Sequence, residues 1–223
     1  MTVTQVIFDF DSTIIRCESL EEILRPRLEG DSAKMAQIEE ITRLGMEGAI
    51  DFKESLSRRL ALAQPNLSDL ERFGREGTPW LTSGMEALIA SLHRRGLEVW
   101  IVSGGLREAI VPVAAHLGIP AERVLAVRLQ WRTDGSFAGI DPGDRFSVSK
   151  VDGCRAFFGP TDRPRPIRIG VGDGMTDFAL FDAGLVDCFI AYTEHVRRPA
   201  VVATGQPEAS DTNELARLLE EYR

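Results

Sequence analysis

The stretch VIFDFDSTII (Val6–Ile15) is an apolar run interrupted by two aspartates, Asp9 and Asp11, with Ser12 and Thr13 directly behind them. The run reads as a buried strand, and residues two apart in a strand share a face. Two carboxylates on one face repel each other, and an unpaired buried charge is costly. Something positive is therefore expected where this strand ends.

The surrounding sequence supplies the fold to which such a strand belongs. Further short apolar runs, LEVWIVSGG, RVLAVRLQW, IRIGVGDG and CFIAY, alternate with helical patterns such as MEALIASLHRRG and LREAIVPVAAHLG. These two helices should stop at Gly96 and Gly118, with Pro112 in the first turns of the second or kinking it. Nearly all-apolar strands alternating with helices predict an α/β fold, a doubly wound parallel sheet covered on both faces. The pair Asp134-Gly135 within LQWRTDGSFAG predicts a hairpin excursion.

Residues 16–78 break the alternation. They are rich in Glu, Arg, Leu and Met, show no convincing strand, and read as amphipathic helices: SLEEILRPRLEG, AKMAQIEEITRLGMEG and DFKESLSRRLALA. The expected organisation is a Rossmann-like core of residues 1–15 and 79–223, with a small α-helical cap domain, residues 16–78, inserted after the first strand.

The 223 residues suit one such domain with its insertion, and 43% hydrophobic with 27% charged residues is the balance of a soluble globular chain. A formal charge of −8 argues against nucleic acid or an anionic membrane as partner. No run approaches the ~18 apolar residues of a membrane span, and the N-terminus has no secretory pattern. Cys17, Cys154 and Cys188 form no CxxC pair and are expected as reduced thiols in a cytoplasmic protein. Monomer and homodimer are equally compatible with the sequence.

In open α/β sheets, ligands bind outside the carboxyl ends of the strands. Ser103-Gly104-Gly105 ends one strand and opens a helix, so a hydroxyl, unhindered amides and a helix N-terminus suit an anion there. In IGVGDGMTD, Asp173 and Asp177 stand four apart beyond a glycine turn. Asp9, Asp11, Asp173 and Asp177 at one sheet edge call for a cation. Hard oxygen ligands without a His/Cys cluster point to Mg²⁺ shared with a substrate phosphate. The three histidines have no mutual spacing and read as surface or core residues. Lys150, just ahead of the IGVGDG strand, supplies a fixed positive charge.

These requirements define a chemistry. Asp9 acts as nucleophile and forms an aspartyl phosphate. Ser103, the Gly104 amide and Lys150 stabilise the equatorial oxygens. Asp11 protonates the leaving oxygen and later takes a proton from water, with Thr13 hydrogen-bonding nearby to orient it.

The four motifs, DFDST, SGG, Lys150 and GDGMTD, in this order, resemble those of the haloacid dehalogenase superfamily of phosphohydrolases, and the resemblance spans essentially the whole chain. Within it, the sequence looks like the phosphoserine phosphatase family. That resemblance implies that Glu18 meets the substrate ammonium, that Phe52 and Arg59 line the substrate pocket, and that Arg59 takes the carboxylate, as a guanidinium does in bidentate fashion. It also implies hydrolysis of a small phosphomonoester, L-phosphoserine first, with phosphohomoserine, phosphorylcholine or a methionine-salvage enol phosphate as alternatives decided by the cap. Three positions depart from the pattern: Leu106 where phenylalanine is frequent, Thr176 at a substrate-binding position where asparagine is common outside the eukaryote-like branch, and a less glycine-rich segment around Lys150. A dehalogenase is disfavoured because Asp11 would have no task. A phospho-accepting signalling domain is disfavoured because no aspartate follows WIVSGG.

Overall fold

The computed structural model describes residues 3–46, 49–159 and 165–222. Its core is a six-stranded parallel sheet in the order β3-β2-β1-β6-β7-β8, flanked by helices. The strands are β1 (Gln5–Phe8), β2 (Glu98–Leu106), β3 (Val124–Val127), β6 (Arg168–Gly172), β7 (Cys188–Tyr192) and β8 (Glu208–Ala209). Every residue of β1, β3 and β6 is buried, as strands covered on both faces require. β1 sits in the middle, paired with β2 on one side and β6 on the other. The chain winds outward from β1 through β2 to β3, then returns across β1 to build β6, β7 and β8. That reversal opens a crevice at the carboxyl ends of β1 and β6.

The helices of the core are α5 (Met85–Arg94), α6 (Arg107–His116), α7 (Lys150–Phe158), α8 (Met175–Asp182) and α9 (Pro199–Val202) between strands, and α10 (Thr212–Glu220) after β8. Pro112 lies in the middle of α6, not in its first turns, and its ring meets Gly74, where a Cβ would come within 2.7 Å of Pro112 Cγ. The run RVLAVRLQW is two strands instead of one. β3 ends at Val127, exposed Arg128 turns the chain by donating its amide to Asp144 Oδ1 (3.2 Å), and β4 (Leu129–Trp131) pairs antiparallel with β5 (Phe137–Ile140). This is the hairpin that Asp134-Gly135 announces. β2 extends through Ser103-Gly104-Gly105 to Leu106, with an irregularity after Val102.

Four helices lie between β1 and β2: α1 (Ser19–Leu24), α2 (Ser32–Met46), α3 (Phe52–Ala63) and α4 (Leu67–Glu76). α1 stops before Pro26, as the residue preceding a proline favours. The expected end of the second helical segment at Glu47-Gly48 lies outside the described residues. Where the insertion leaves and returns, the two chain segments pair: Arg16 N donates to Trp80 O (3.0 Å), Thr82 N to Ile14 O (2.9 Å), and Ile15 bridges Leu81. α4 is also tied to the hairpin, since Leu67 N donates to Gly135 O (2.9 Å) and Asn66 bridges Ser136. α2 and α3 pack chiefly on each other, with Ser55 Oγ donating to Ile41 O (3.2 Å). No helix among the described residues is long and apolar enough to cross a membrane.

Candidate active site

The strand ends at Phe8, so Asp9 and Asp11 do not share one face of a pleated strand as the sequence predicts. Residues 10–14 form an irregular turn in which Asp11 is extended (φ −67°, ψ 140°) and Ser12 is left-handed (φ 52°, ψ 12°). A non-glycine residue in that region is a local strain of the kind that clusters at functional sites. The turn sends the two carboxylates apart. Asp9 stays at the sheet edge, its amide donating to Val171 O of β6 (2.8 Å) and its Oδ1 accepting from Phe10 N (2.7 Å). Asp11 points toward α1, where its Oδ1 accepts from Ser19 N (2.8 Å).

Asp9, Asp173 and Asp177 form one buried group whose carboxylate oxygens lie within 4.8 Å of one another. Asp177, in the first turn of α8, accepts from Gly174 N at Oδ2 (3.0 Å). It approaches the end of β6 so closely that a Cβ on Gly172 would come within 2.4 Å of its carboxyl carbon. Of the four aspartates expected around a cation, these three converge, and the Asp11 side chain is outside the group.

Lys150 is the first residue of α7, whose start is fixed by Ser149 Oγ accepting from Asp152 N (2.9 Å). Its ammonium lies 2.5 Å from Asp9 Oδ1 and 2.5 Å from Asp177 Oδ1. Burial pulls this ammonium down, but the carboxylates of Asp177 and Asp9 outweigh it and hold it above the usual lysine range. Burial, then Asp177, push Asp9 well above the ordinary carboxylate range against the pull of Lys150. Burial and Asp177 likewise raise Asp173 to about 6. Three buried, mutually repelling carboxylates with acid-only oxygen donors fit a small hard dication such as Mg²⁺.

Arg198 is an addition to the expected set. It donates through Nε and a terminal nitrogen to Asp173 Oδ2, both at 2.9 Å. It lies in the segment after β7, 25 residues beyond its partner, so no motif connects them. Scanning every strand-end loop for cations would have found it. His195, in the same segment, is half-buried, as expected of a surface or core residue. Thr82 Oγ1 donates its proton to Thr13 O (2.7 Å) and therefore accepts from His195 Nε2 (2.8 Å), tying this segment to the base of the insertion.

The other expected residues lie around this group. Ser103 is buried, and its Oγ accepts from Gly105 N (2.9 Å). Gly104 lies under the ring of Phe52, where a Cβ would come within 2.7 Å. Thr13 is buried with its hydroxyl unpartnered among the described residues, and Asp11 is held by the Ser19 amide instead. Glu18 accepts from Ser12 Oγ (3.0 Å) and is raised to about 7 by burial and then by Asp11. Arg59, on α3, is buried with its Nε donating, among the described residues, only to Ser55 O of its own helix (3.3 Å). Burial lowers it, against the pull of the Glu18 and Asp11 carboxylates. Thr176 is exposed on the first turn of α8, and Leu106 is buried in the core.

The site thus joins a buried carboxylate at the end of β1 (Asp9), a second carboxyl raised to about 6 by burial (Asp11), a fixed ammonium and a group of three acids that could hold a cation. That combination can transfer a phosphoryl group. The sequence model of the haloacid dehalogenase-like hydrolase family matches residues 6–182. The phosphoserine phosphatase of Rattus norvegicus is 35% identical over 216 residues, covering 97% of this chain and 93% of its own. That of Homo sapiens is 34% identical over 227 residues, with the same coverage. A crystal structure of a phosphoserine phosphohydrolase-like protein from Francisella tularensis superposes with a TM-score of 0.90 at 42% identity, covering 97% of this chain and all of that one. The chain belongs to the haloacid dehalogenase-like hydrolases and, within them, is a phosphoric monoester hydrolase of the phosphoserine phosphatase type.

Proposed function

We propose that this protein hydrolyses L-phosphoserine to L-serine and phosphate, through a phosphoaspartate on Asp9, with Mg²⁺ held by Asp9, Asp173 and Asp177. The observation that carries the reading is the pairing of two differently charged regions. Below lies the acid group with Lys150. Above it, Glu18 and the buried Arg59, which among the described residues has no carboxylate hydrogen-bonded to it, offer one negative and one positive charge to an amino acid's ammonium and carboxylate. The names of the relatives agree with it.

When bound, the cation supplies charge neutralisation to the phosphate. The protein's own residues do the rest. The Asp9 oxygen attacks phosphorus as the ester P–O bond breaks, and the electron pair leaves with the serine oxygen, which takes the proton of Asp11. Lys150, hydrogen-bonded to Asp9, holds the nucleophile in line and offers positive charge to the equatorial oxygens, with the Gly104 amide and Ser103 beside it. Asp11, now a carboxylate, takes a proton from water as the water oxygen attacks phosphorus. The Asp9 O–P bond then breaks to release phosphate.

The inserted helices act as a cap that excludes water and presents Arg59. Within residues 16–78, α1 and α4 are anchored to the core and hairpin, so α2 and α3 are the part that opens.

The test is phosphate release from a panel with Mg²⁺: L- and D-phosphoserine, phosphohomoserine, phosphorylcholine and an aryl phosphate, with Asp9→Asn as blank. L-phosphoserine should lead in kcat/KM by orders of magnitude. Uniformly slow rates on all of them would retire phosphoserine and leave the Asp9 chemistry.

A further inference from the structure

The segment RFSVSKVDG, residues 145–153, is where the chain departs from the more glycine-rich family pattern, and the one glycine in it lies inside a helix. Gly153 is the fourth residue of α7 and is buried. Glycine is destabilising in a helix interior, so its presence there calls for a packing reason. A Cβ at this position would lie 2.3 Å from Cδ1 and 2.4 Å from Cε1 of Phe146. The buried Phe146 ring is thus seated on the bare backbone of α7, where no side chain fits.

The segment that carries the ring is itself closed. Asp144 is buried, its Oδ1 accepting from Arg128 N (3.2 Å) and its Oδ2 from Ser147 N (2.6 Å). Asp141 N donates to Arg128 O (3.0 Å), and Ser149 N donates to Arg145 O (3.3 Å). Residues 141–149 are therefore pinned at one end to the base of the hairpin and at the other, through the ring, to α7. Lys150 opens that helix three residues before Gly153, on the same side of it. Its ammonium meets Asp9 and Asp177 at 2.5 Å each, at the end of a flexible stem. The placement of the helix start decides whether it reaches both.

We propose that Phe146 is a positioning residue for Lys150. Seated on Gly153, its ring sets the first turn of α7 and with it the point where the ammonium meets Asp9 and the equatorial phosphate oxygens. The inference rests on the reading of Lys150 as the fixed charge of the phosphoryl-transfer site. A displacement of about 1 Å at such a group can cost about a hundredfold in rate, while the contacts that bind the rest of the substrate stay as they are.

The experiment measures kcat and KM for L-phosphoserine and p-nitrophenyl phosphate with saturating Mg²⁺. Phe146→Ala, Phe146→Leu and Gly153→Ala are made both in the wild-type chain and on Lys150→Met, and thermal melts identify the folded variants. Phe146→Ala should lower kcat about ten- to a hundredfold and move KM for L-phosphoserine by less than about threefold, since Glu18 and Arg59 are not disturbed. Gly153→Ala, whose methyl displaces the ring, should do the same, and the two changes together should cost little more than either alone. On Lys150→Met, Phe146→Ala should change kcat by less than about twofold, because the group it positions is gone. An equal fold loss in the two backgrounds, or a rise in KM with kcat unchanged, would overturn the proposal. Should Phe146→Ala not fold, Phe146→Leu, which fills the space without the flat face of the ring, is held to the same criteria. Lys150→Met by itself separates the two readings. Near-wild-type turnover there retires Lys150 as the fixed charge. A large loss there, with equal losses for Phe146→Ala in both backgrounds, retires the Phe146 proposal alone.

Discussion

The acid group at the sheet edge and the charged face of the insertion handle burial in opposite ways. At the edge every charge has a partner: Lys150 lies between Asp9 and Asp177, and Arg198 holds Asp173. In the insertion, Arg59 is as buried as Lys150 but among the described residues bonds only a carbonyl of its own helix, and Glu18 among them has only the Ser12 hydroxyl as hydrogen-bond partner. Each acid of the edge has a basic side chain beside it before anything binds, which suits groups that must stay in register through a reaction. The insertion is left under-compensated, which suits groups whose partners arrive with the substrate. Desolvation already spent on Arg59 is not spent again on binding, so its carboxylate partner gains more than it would at an exposed site.

The comparison can be broken at either end. Asp9→Asn should abolish phosphate release, by at least ~10³-fold, since the nucleophile is lost and nothing else in the group can replace it. Surviving turnover in that variant would overturn the mechanism. Lys150→Ala strands two buried carboxylates, so it should cost about 3–5 kcal/mol of unfolding free energy in chelator, with much of that recovered on adding Mg²⁺. A variant whose denaturation is insensitive to the cation would show that the acids do not form a cation site.

Arg59→Ala should behave differently, raising KM for L-phosphoserine about ten- to a hundredfold while changing stability by less than ~1 kcal/mol, because no native ion pair is lost. A stability loss as large as that of Lys150→Ala would erase the distinction between the two regions.

Glu18 sharpens the comparison through pH. Burial and the neighbouring Asp11 hold it at about 7, so it is ionised above that pH and neutral below. If it receives an ammonium, KM should be flat above pH 7 and rise up to about tenfold per unit below it. Glu18→Gln should show a high, pH-independent KM. The smallest effect is expected at Gly104→Ala, where the new methyl meets the Phe52 ring and α3 must shift, costing about 1–2 kcal/mol in a thermal melt.

Much of this site is legible in the sequence because its residues sit beside strand ends in short motifs. Asp9, Asp173 and Asp177 need only the rule that parallel strands deliver their carboxyl ends to one crevice. Lys150 needs the same rule plus a helix start marked by Ser149. The misread positions share a cause. Strand periodicity places Asp11 on the Asp9 face, but β1 ends at Phe8 and the left-handed Ser12 redirects the chain beyond it. Thr13 reads as the residue that orients Asp11, a task the Ser19 amide performs. Arg198 and His195 belong to a segment with no pattern of its own, and they matter only because β7 lies beside β6.

By itself the sequence determined the doubly wound sheet, the helical insertion after the first strand and the identity of the acids, because apolar period and strand–helix order are local properties of the chain. Tertiary structure alone decided which carboxylates converge, which one is held apart by a helix amide, and which basic side chains answer them. Those outcomes depend on backbone turns of a single residue and on ångström distances between segments far apart in the chain, and neither leaves a periodic trace in the order of the amino acids.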